Sequence, residues 1–183
     1  AWEQAERYRR QRLPNHRTER DAGLDLRVRA LGYAGDPAGA QIALAELTAI
    51  AELVGTAPLK AAASFAAGIV AIGGGDADEA RRHLEDAVDL FLDADRLAPS
   101  APLSFNVALA YENLGYGSGA LRWYRDYLRR DPGERNAEVV RATIAAPAAA
   151  HRKKGAHKLT LPSTPPRAAV AADHPPPRVA PGA

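Results

Sequence analysis

The chain contains no cysteine and no methionine, and only 6% of its 183 residues are aromatic. The absence of cysteine excludes disulfide scaffolds, thiolate zinc sites, iron–sulfur clusters and cysteine nucleophiles. Few large apolar side chains remain to fill a core, whereas 41 residues are alanine. Because alanine is the best helix former and a poor strand former, this composition predicts a helical protein with closely packed small side chains.

Long hydrophobic runs are also missing. The longest charge-free stretches are residues 61–75 and 97–111, and both are shorter than the ~20 residues that a transmembrane helix needs. The opening Trp2-Glu3-Gln4 differs from a signal peptide, which places basic residues before an apolar run. We therefore expect no transmembrane segment, and these residues alone do not determine the compartment.

The net charge of +2 is unevenly distributed along the chain. Residues 61–98 carry three basic and eight acidic side chains, whereas residues 151–183 carry six basic and one acidic. Basic ends of this kind can contact nucleic acid or anionic lipid. However, acidic residues are interspersed among the N-terminal arginines, and no aromatic residue accompanies the C-terminal basic ones. The pattern disfavours direct nucleic-acid binding.

Proline and glycine divide the chain into three parts. Residues 1–35 form a basic segment, in which residues 1–13 have the pattern of an Arg-rich helix that ends before Pro14. Residues 36–146 form the helical domain. Residues 147–183 form a Pro/Ala-rich basic tail that contains seven of the 14 prolines after residue 161. We expect the tail to be disordered, because such a composition cannot bury a core.

Apolar residues in the helical domain recur every three or four positions, as on one face of a helix. Asp36 and Asp76 have the pattern of N-caps, and Gly55 that of a C-cap. The predicted helices cover 37–54, 59–72, 77–98 and 102–114, followed by one capped by Ser118 and one that begins at Asp131-Pro132. The predicted buried stripes of the last two helices are Ala120, Leu121, Tyr124 and Leu128, then Val139, Val140 and Ile144.

Residue patterns that would indicate chemistry are weak. The run Gly73-Gly74-Gly75 matches neither a dinucleotide-binding fingerprint nor a Walker A loop, and it fits a turn between helices. No two of the five histidines are spaced as in a zinc-binding helix. The acidic pairs Asp76/Asp78 and Glu85/Asp89 lie at a cap or on a solvent-facing side, whereas carboxylates that act as acid and base need a cleft. We expect no catalytic residue, no metal and no cofactor, and hence not an enzyme.

The segment from Ala101 to Glu134 resembles a tetratricopeptide repeat (TPR), a 34-residue helix pair. The residues that carry the resemblance are Tyr111-Glu112-Asn113-Leu114-Gly115, Ala120-Leu121, Tyr124 and Asp131-Pro132. Ser104 and Tyr127 depart from it, since a bulky and a small residue are usual at these positions. A looser copy begins at Ala61, with Ala67-Gly68 where two helices would cross. The resemblance implies an all-α array of antiparallel helix pairs.

Two bacterial contexts share these features. The stretch 61–91 is similar to the helical region of LuxR-type transcriptional regulators. The stretch from Leu103 onward is similar to envelope proteins in which repeats precede a PEGA module, and the segment 158–165 resembles the opening of that module. The second context implies the periplasm or envelope, and the first implies the cytoplasm. A LuxR-type sensor or interaction region is therefore the alternative to a free-standing scaffold.

The resemblance to TPR proteins also implies a site, because the first helix of each pair lines their inner groove. Here that face would present five residues to a protein or peptide partner: Phe105, Asn106, Leu109, Glu112 and Asn113. Asparagine side chains can hold a peptide backbone, and Phe105 can receive an apolar side chain. The absence of basic residues on this face disfavours capture of a peptide carboxyl terminus. We therefore predict a non-catalytic protein-interaction or scaffold module.

Overall fold

The computed structural model describes residues 24–32, 34–131, 133 and 136–146, and within these ranges the chain forms helices and turns without a strand. The all-α prediction is thus confirmed for this part of the chain. Helix α1 comprises the helical residues at 24–32 and 34. The others are α2 (Pro37–Val54), α3 (Ala57–Gly74), α4 (Ala77–Leu97), α5 (Ala101–Asn113), α6 (Gly117–Arg130) and α7 (Ala137–Ala145). The predicted disordered tail lies outside the described residues.

The ends of α2, α3 and α4 follow directly from their capping residues. Asp36 Oδ1 accepts a hydrogen bond from the Gly39 N–H at 2.9 Å, and Asp76 Oδ1 accepts one from the Glu79 N–H at the same distance. Gly55 ends α2 with a φ of 74°, a left-handed conformation that glycine adopts without strain. These predicted caps are confirmed, and they place α2, α3 and α4 in sequence with turns of only two residues.

Helix α3 lies between two hydrophobic clusters and contributes one face to each. The N-terminal cluster joins α1, α2 and α3 through the buried side chains of Leu24, Val28, Ala43, Leu47, Ala51, Leu59, Ala63 and Ala66. The C-terminal cluster joins α3 to α4, α5, α6 and α7, and its large members include Phe65, Ile69, Leu84, Phe91, Tyr111, Trp123, Tyr127 and Val140. A helix that is apolar nearly all round is therefore buried on both sides.

Close approach of α3 and α4 depends on a small residue at their crossing. Gly68 is buried, and a Cβ atom at this position would lie 2.7 Å from Cγ of Leu84 and 3.3 Å from the carbonyl oxygen of Ala80. On α5 and α6, Ala108 and Ala120 are likewise buried. Small residues at these positions allow the helix axes to approach, and larger neighbours fill the spaces around them.

The C-terminal helices differ from the prediction in three respects. Helix α6 begins at Gly117 after Tyr116, so Ser118 lies within its first turn and is not its N-cap. Its fully buried aromatic residues are Trp123, Tyr124 and Tyr127, whereas the predicted Leu121 and Leu128 are only half-buried. Helix α7 begins at Ala137 and not at Asp131, and Val139 points to solvent.

Helix α1 precedes the predicted start of the helical domain at residue 36. Leu24 and Val28 are buried against α2 and α3. The guanidinium carbon of Arg29 lies 5.6 Å from the centre of the Phe65 ring on α3, a cation–π contact. The described fold therefore includes residues upstream of Asp36.

Two described helices, α2 and α3, are long and apolar enough to cross a membrane by length and composition. Buried helices of proteins outside membranes satisfy the same criterion. Both helices contribute to the N-terminal cluster, and α3 also contributes to the C-terminal one. The expected absence of a transmembrane segment stays a prediction.

Candidate functional site

The five predicted groove residues share one side of α5. Ser100 caps this helix by accepting a hydrogen bond from the Leu103 N–H at 3.4 Å, and Pro102 lies in the first turn. The opposite side of α5 is buried in the C-terminal cluster through Val107, Ala108 and Tyr111. Residues three, four and seven positions apart share a helix face. The remaining side of α5 therefore carries all five predicted residues: Phe105, Asn106, Leu109, Glu112 and Asn113.

Phe105 lies in the contact between α5 and α6. Its ring centre is 6.0 Å from that of Tyr124 and 5.4 Å from that of Tyr127, and both pairs are tilted. Such geometry is favourable for aromatic rings, so this half-buried side chain stabilises the helix pair. Replacing Phe105 would change this contact as well as any partner surface.

Glu112 and Asn113 also form hydrogen bonds within the chain. The Tyr124 hydroxyl donates to Glu112 Oε2 at 2.6 Å, which ties α5 to α6. The Asn113 side chain is buried, and its Nδ2 donates to the Leu109 carbonyl oxygen at 2.8 Å. Asn106 and Leu109 are half-exposed. Leu109 also packs against the C-terminal cluster. The half-exposed side chains of Asn106 and Leu109 lie outside the ring contacts and side-chain hydrogen bonds described above for the other three residues.

A buried ionic network lies at the other end of the same helices. Nη2 of Arg130 donates to Asp95 Oδ2 at 2.9 Å, and Nη1 donates to the Ser100 carbonyl oxygen at 3.0 Å. Its Nε lies 2.7 Å from Asp126 Oδ2, which also accepts a hydrogen bond from the Ser104 hydroxyl at 2.7 Å. Arg130 therefore links the end of α4, the start of α5 and the end of α6.

The three linked charged side chains of this network are almost fully buried. The side chains of Asp95 and Asp126 are 1% exposed and that of Arg130 is 4% exposed. Arg129, by contrast, pairs with Asp126 from the surface and is 60% exposed. The sequence does not reveal this network, because Asp95 and Arg130 are 35 positions apart and carry no local signal of burial.

Titratable groups with raised pKa values are scattered through the described residues. Burial raises the pKa of the Asp25 carboxyl, and the Arg29 guanidinium opposes this effect. Partial burial raises the pKa of Glu85, with Arg81 opposing it. Burial also raises the pKa of the Tyr111 hydroxyl above its ordinary value.

The described residues contain no group of three His, Cys, Asp or Glu side chains placed to hold a metal ion. His83 Nε2 lies 3.7 Å from Glu79 Oε1, one helical turn away. The two side chains are partly exposed on the surface of α4.

No family model matches this chain, and no curated protein or solved structure is significantly similar to it. Only the residues and their geometry therefore bear on function. The geometry offers a half-exposed face on α5, which the contacts of α5 with α6 and with Arg130 hold in place.

Proposed function

We propose that the chain is a non-catalytic protein-interaction or scaffold module built from TPR-like helix pairs. The observation that carries this proposal is the order of packing: the described helices from α2 to α7 pack mainly against their neighbours along the chain, most extensively α3 against α4 and α5 against α6. Proteins built from stacked helix pairs have this order, and they present extended surfaces to their partners. The small residues Gly68, Ala108 and Ala120 at buried positions support the TPR-like assignment.

The proposed partner face is the half-exposed side of α5, centred on Asn106 and Leu109. Phe105, Glu112 and Asn113 complete this face and also hold the helix pair together. A peptide chain would gain backbone hydrogen bonds from Asn106 and an apolar contact from Leu109. The envelope and regulator contexts of the sequence resemblance remain proposals beside this one.

The test is recovery of a partner by the full chain and by two variants with the same added charge. Asn106→Arg changes the proposed face, whereas Ser118→Arg changes an exposed position on α6. We expect Asn106→Arg to recover severalfold less of a partner that the wild type captures from cells of its source, and Ser118→Arg to recover as much as the wild type. Circular dichroism checks that both variants fold. Equal recovery by both variants would remove the α5 face from the proposal.

A further inference from the structure

The outward sides of α4 and α6 carry rows of opposite charge. Each row contains three side chains spaced by three and then four positions, which places them together on one side of their helix. We call them the α4 acidic row and the α6 basic row, and their members are Asp86, Asp89 and Asp93, then Arg122, Arg125 and Arg129. Arg122 is half-exposed and the other five residues are exposed.

Helices α4 and α6 run side by side in the same direction. At their C-terminal ends, Arg130 of α6 donates to Asp95 of α4, which lies 35 positions earlier in the chain. Tyr116 directly precedes α6, and it lies near the first turns of α4: burial raises the pKa of its hydroxyl, and the charges of Glu85 and Arg81 act on it in opposite directions. Both helices also pack against α5. Their outward sides therefore belong to one surface, and a residue of α4 lies level with the residue about 35 positions later in α6.

The two rows match in position as well as in charge. Each aspartate precedes one arginine by 36 positions, and the pairs are Asp86 with Arg122, Asp89 with Arg125, and Asp93 with Arg129. This offset differs by one residue from the level at which the helices lie side by side, which is about 1.5 Å along a helix axis. The same offset sets Arg82 level with Ser118 and Arg96 level with Asp131, so neither arginine meets a like charge. The surface is therefore complementary to itself.

A second copy of the chain is the partner that this arrangement selects. If two copies face each other across a two-fold axis that runs parallel to the helices, α4 of each copy lies over α6 of the other at the same level. Each acidic row then meets a basic row, and the same three ion pairs form at two equivalent contacts. A two-fold axis across the helices would set α4 against α4, where like charges repel. A partner with one charged helix would match only one of the two rows.

We propose that the chain forms a two-fold symmetric dimer in which the α4 acidic row of each copy binds the α6 basic row of the other. Exposed ion pairs alone contribute little, but leucines border both rows. Leu90 and Leu97 lie on the edge of α4 away from α6, and Leu97 is 85% exposed. The half-buried Leu121 and Leu128 lie on the edge of α6 away from α4. These edges meet in the dimer, where the leucines shield the ion pairs from water. The contact is independent of the proposed partner face on α5.

The test measures the mass of the full chain by light scattering and reverses the central charge pair of the two rows. We expect twice the chain mass of 19.4 kDa at low salt, and the single-chain mass at about 1 M salt, where the Debye length falls to about 3 Å. Arg125→Glu and Asp89→Arg each set like charges against each other at both contacts, so each variant should be monomeric at low salt. Lys60→Glu and Glu52→Arg are the matched controls, because they make the same reversals at exposed positions on α3 and α2. Both controls should remain dimers, and circular dichroism checks that all four variants fold.

Mixing the two reversed variants tests the pairing itself. In an equimolar mixture of Arg125→Glu and Asp89→Arg, opposite charges meet again at both contacts, so the mixture should recover the dimer mass. The combined variant Asp89→Arg/Arg125→Glu should recover it as well. A wild type that is monomeric at low salt over the accessible concentration range would overturn the proposal. A dimer that both single variants retain would overturn it too, since the copies would then meet through another surface. Two monomeric variants that stay monomeric when mixed would rule out the matched rows.

Discussion

Arg130 gives the sharpest prediction about stability, because two buried carboxylates depend on one guanidinium. Asp95 and Asp126 are each 1% exposed, and Arg130 contacts both. The substitution Arg130→Met keeps much of the side-chain volume and removes the positive charge. Removing one partner of a buried ion pair costs about 3–5 kcal/mol, because the remaining charge stays buried without compensation. That is a large part of the roughly 5–15 kcal/mol by which domains are stable.

The neighbouring arginine provides the control. Arg129 pairs with the same Asp126 but is 60% exposed, and exposed ion pairs contribute about 0–1 kcal/mol. Arg129→Met therefore makes the same change of charge and composition in the same turn of α6. For a domain of this size, about 3–5 kcal/mol corresponds to a fall in Tm of at least about 10 °C. Arg129→Met should lower the Tm by only a few degrees.

Thermal and urea unfolding followed by circular dichroism measure both variants. A rescue experiment separates charge from packing: adding Asp95→Asn and Asp126→Asn to Arg130→Met removes the unpaired charges and should restore part of the lost stability. Replacing a whole buried ion pair with apolar side chains is often neutral or stabilising, so the loss on removing one partner comes mainly from the uncompensated charge. Equal losses of stability for Arg130→Met and Arg129→Met would refute the reasoning. It would also be refuted if the triple variant Arg130→Met/Asp95→Asn/Asp126→Asn were less stable than Arg130→Met alone.

Three further predictions concern single contacts. Gly68→Ala should lower the midpoint of urea unfolding, because the added Cβ would lie 2.7 Å from Cγ of Leu84. Overpacking of this kind costs about 1–3 kcal/mol. An unchanged midpoint would contradict the close crossing of α3 and α4. Asp25 has a raised pKa in the folded state, so its charged form opposes folding at neutral pH. Asp25→Asn should therefore raise the Tm at pH 7, and this gain should shrink as the pH falls towards the ordinary pKa of aspartate, about 3.9. A gain that is independent of pH would exclude this cause. Tyr124→Phe removes the hydrogen bond to Glu112 and should lower the free energy of unfolding in urea by about 1.5–3 kcal/mol. No loss would show that water replaces this hydrogen bond.

Local signals predicted the first half of the described fold well. Asp36, Gly55 and Asp76 are caps whose effect is decided within a few residues, so the bounds of α2 and α4 are close to the prediction. The buried residues of α4, from Ala80 to Ala94, follow the helical period, because charged residues on the other side define the face clearly. The alanine-rich composition and the small residue at Gly68 were likewise sufficient to predict close helix crossings.

Long-range contacts explain what the sequence did not show. In α6, arginines on several sides obscure the apolar face, and the buried residues Trp123 and Tyr127 are selected by packing against other helices. Asp126 and Arg130 would ordinarily be assigned to solvent, yet they are buried because their partners come from other helices and other turns. For the predicted groove, the sequence was sufficient to place the five residues on one face of α5, because that placement follows from the helical period. The hydrogen bond between Glu112 and Tyr124 depends on how two helices meet.

The position of α3 between the two clusters has a consequence for how the protein unfolds. Separation of α1 and α2 from α3 would break the N-terminal cluster and the contact of Arg29 with Phe65, and it would leave α3 to α7 packed around the C-terminal cluster. Stability in such arrays is distributed over neighbouring contacts, so partial openings cost less than complete unfolding. Amide hydrogen exchange should therefore be faster in α1 and α2 than in α4 and α5. The exchange rates of α3 should follow the more stable side, because its backbone stays helical as long as one cluster holds it.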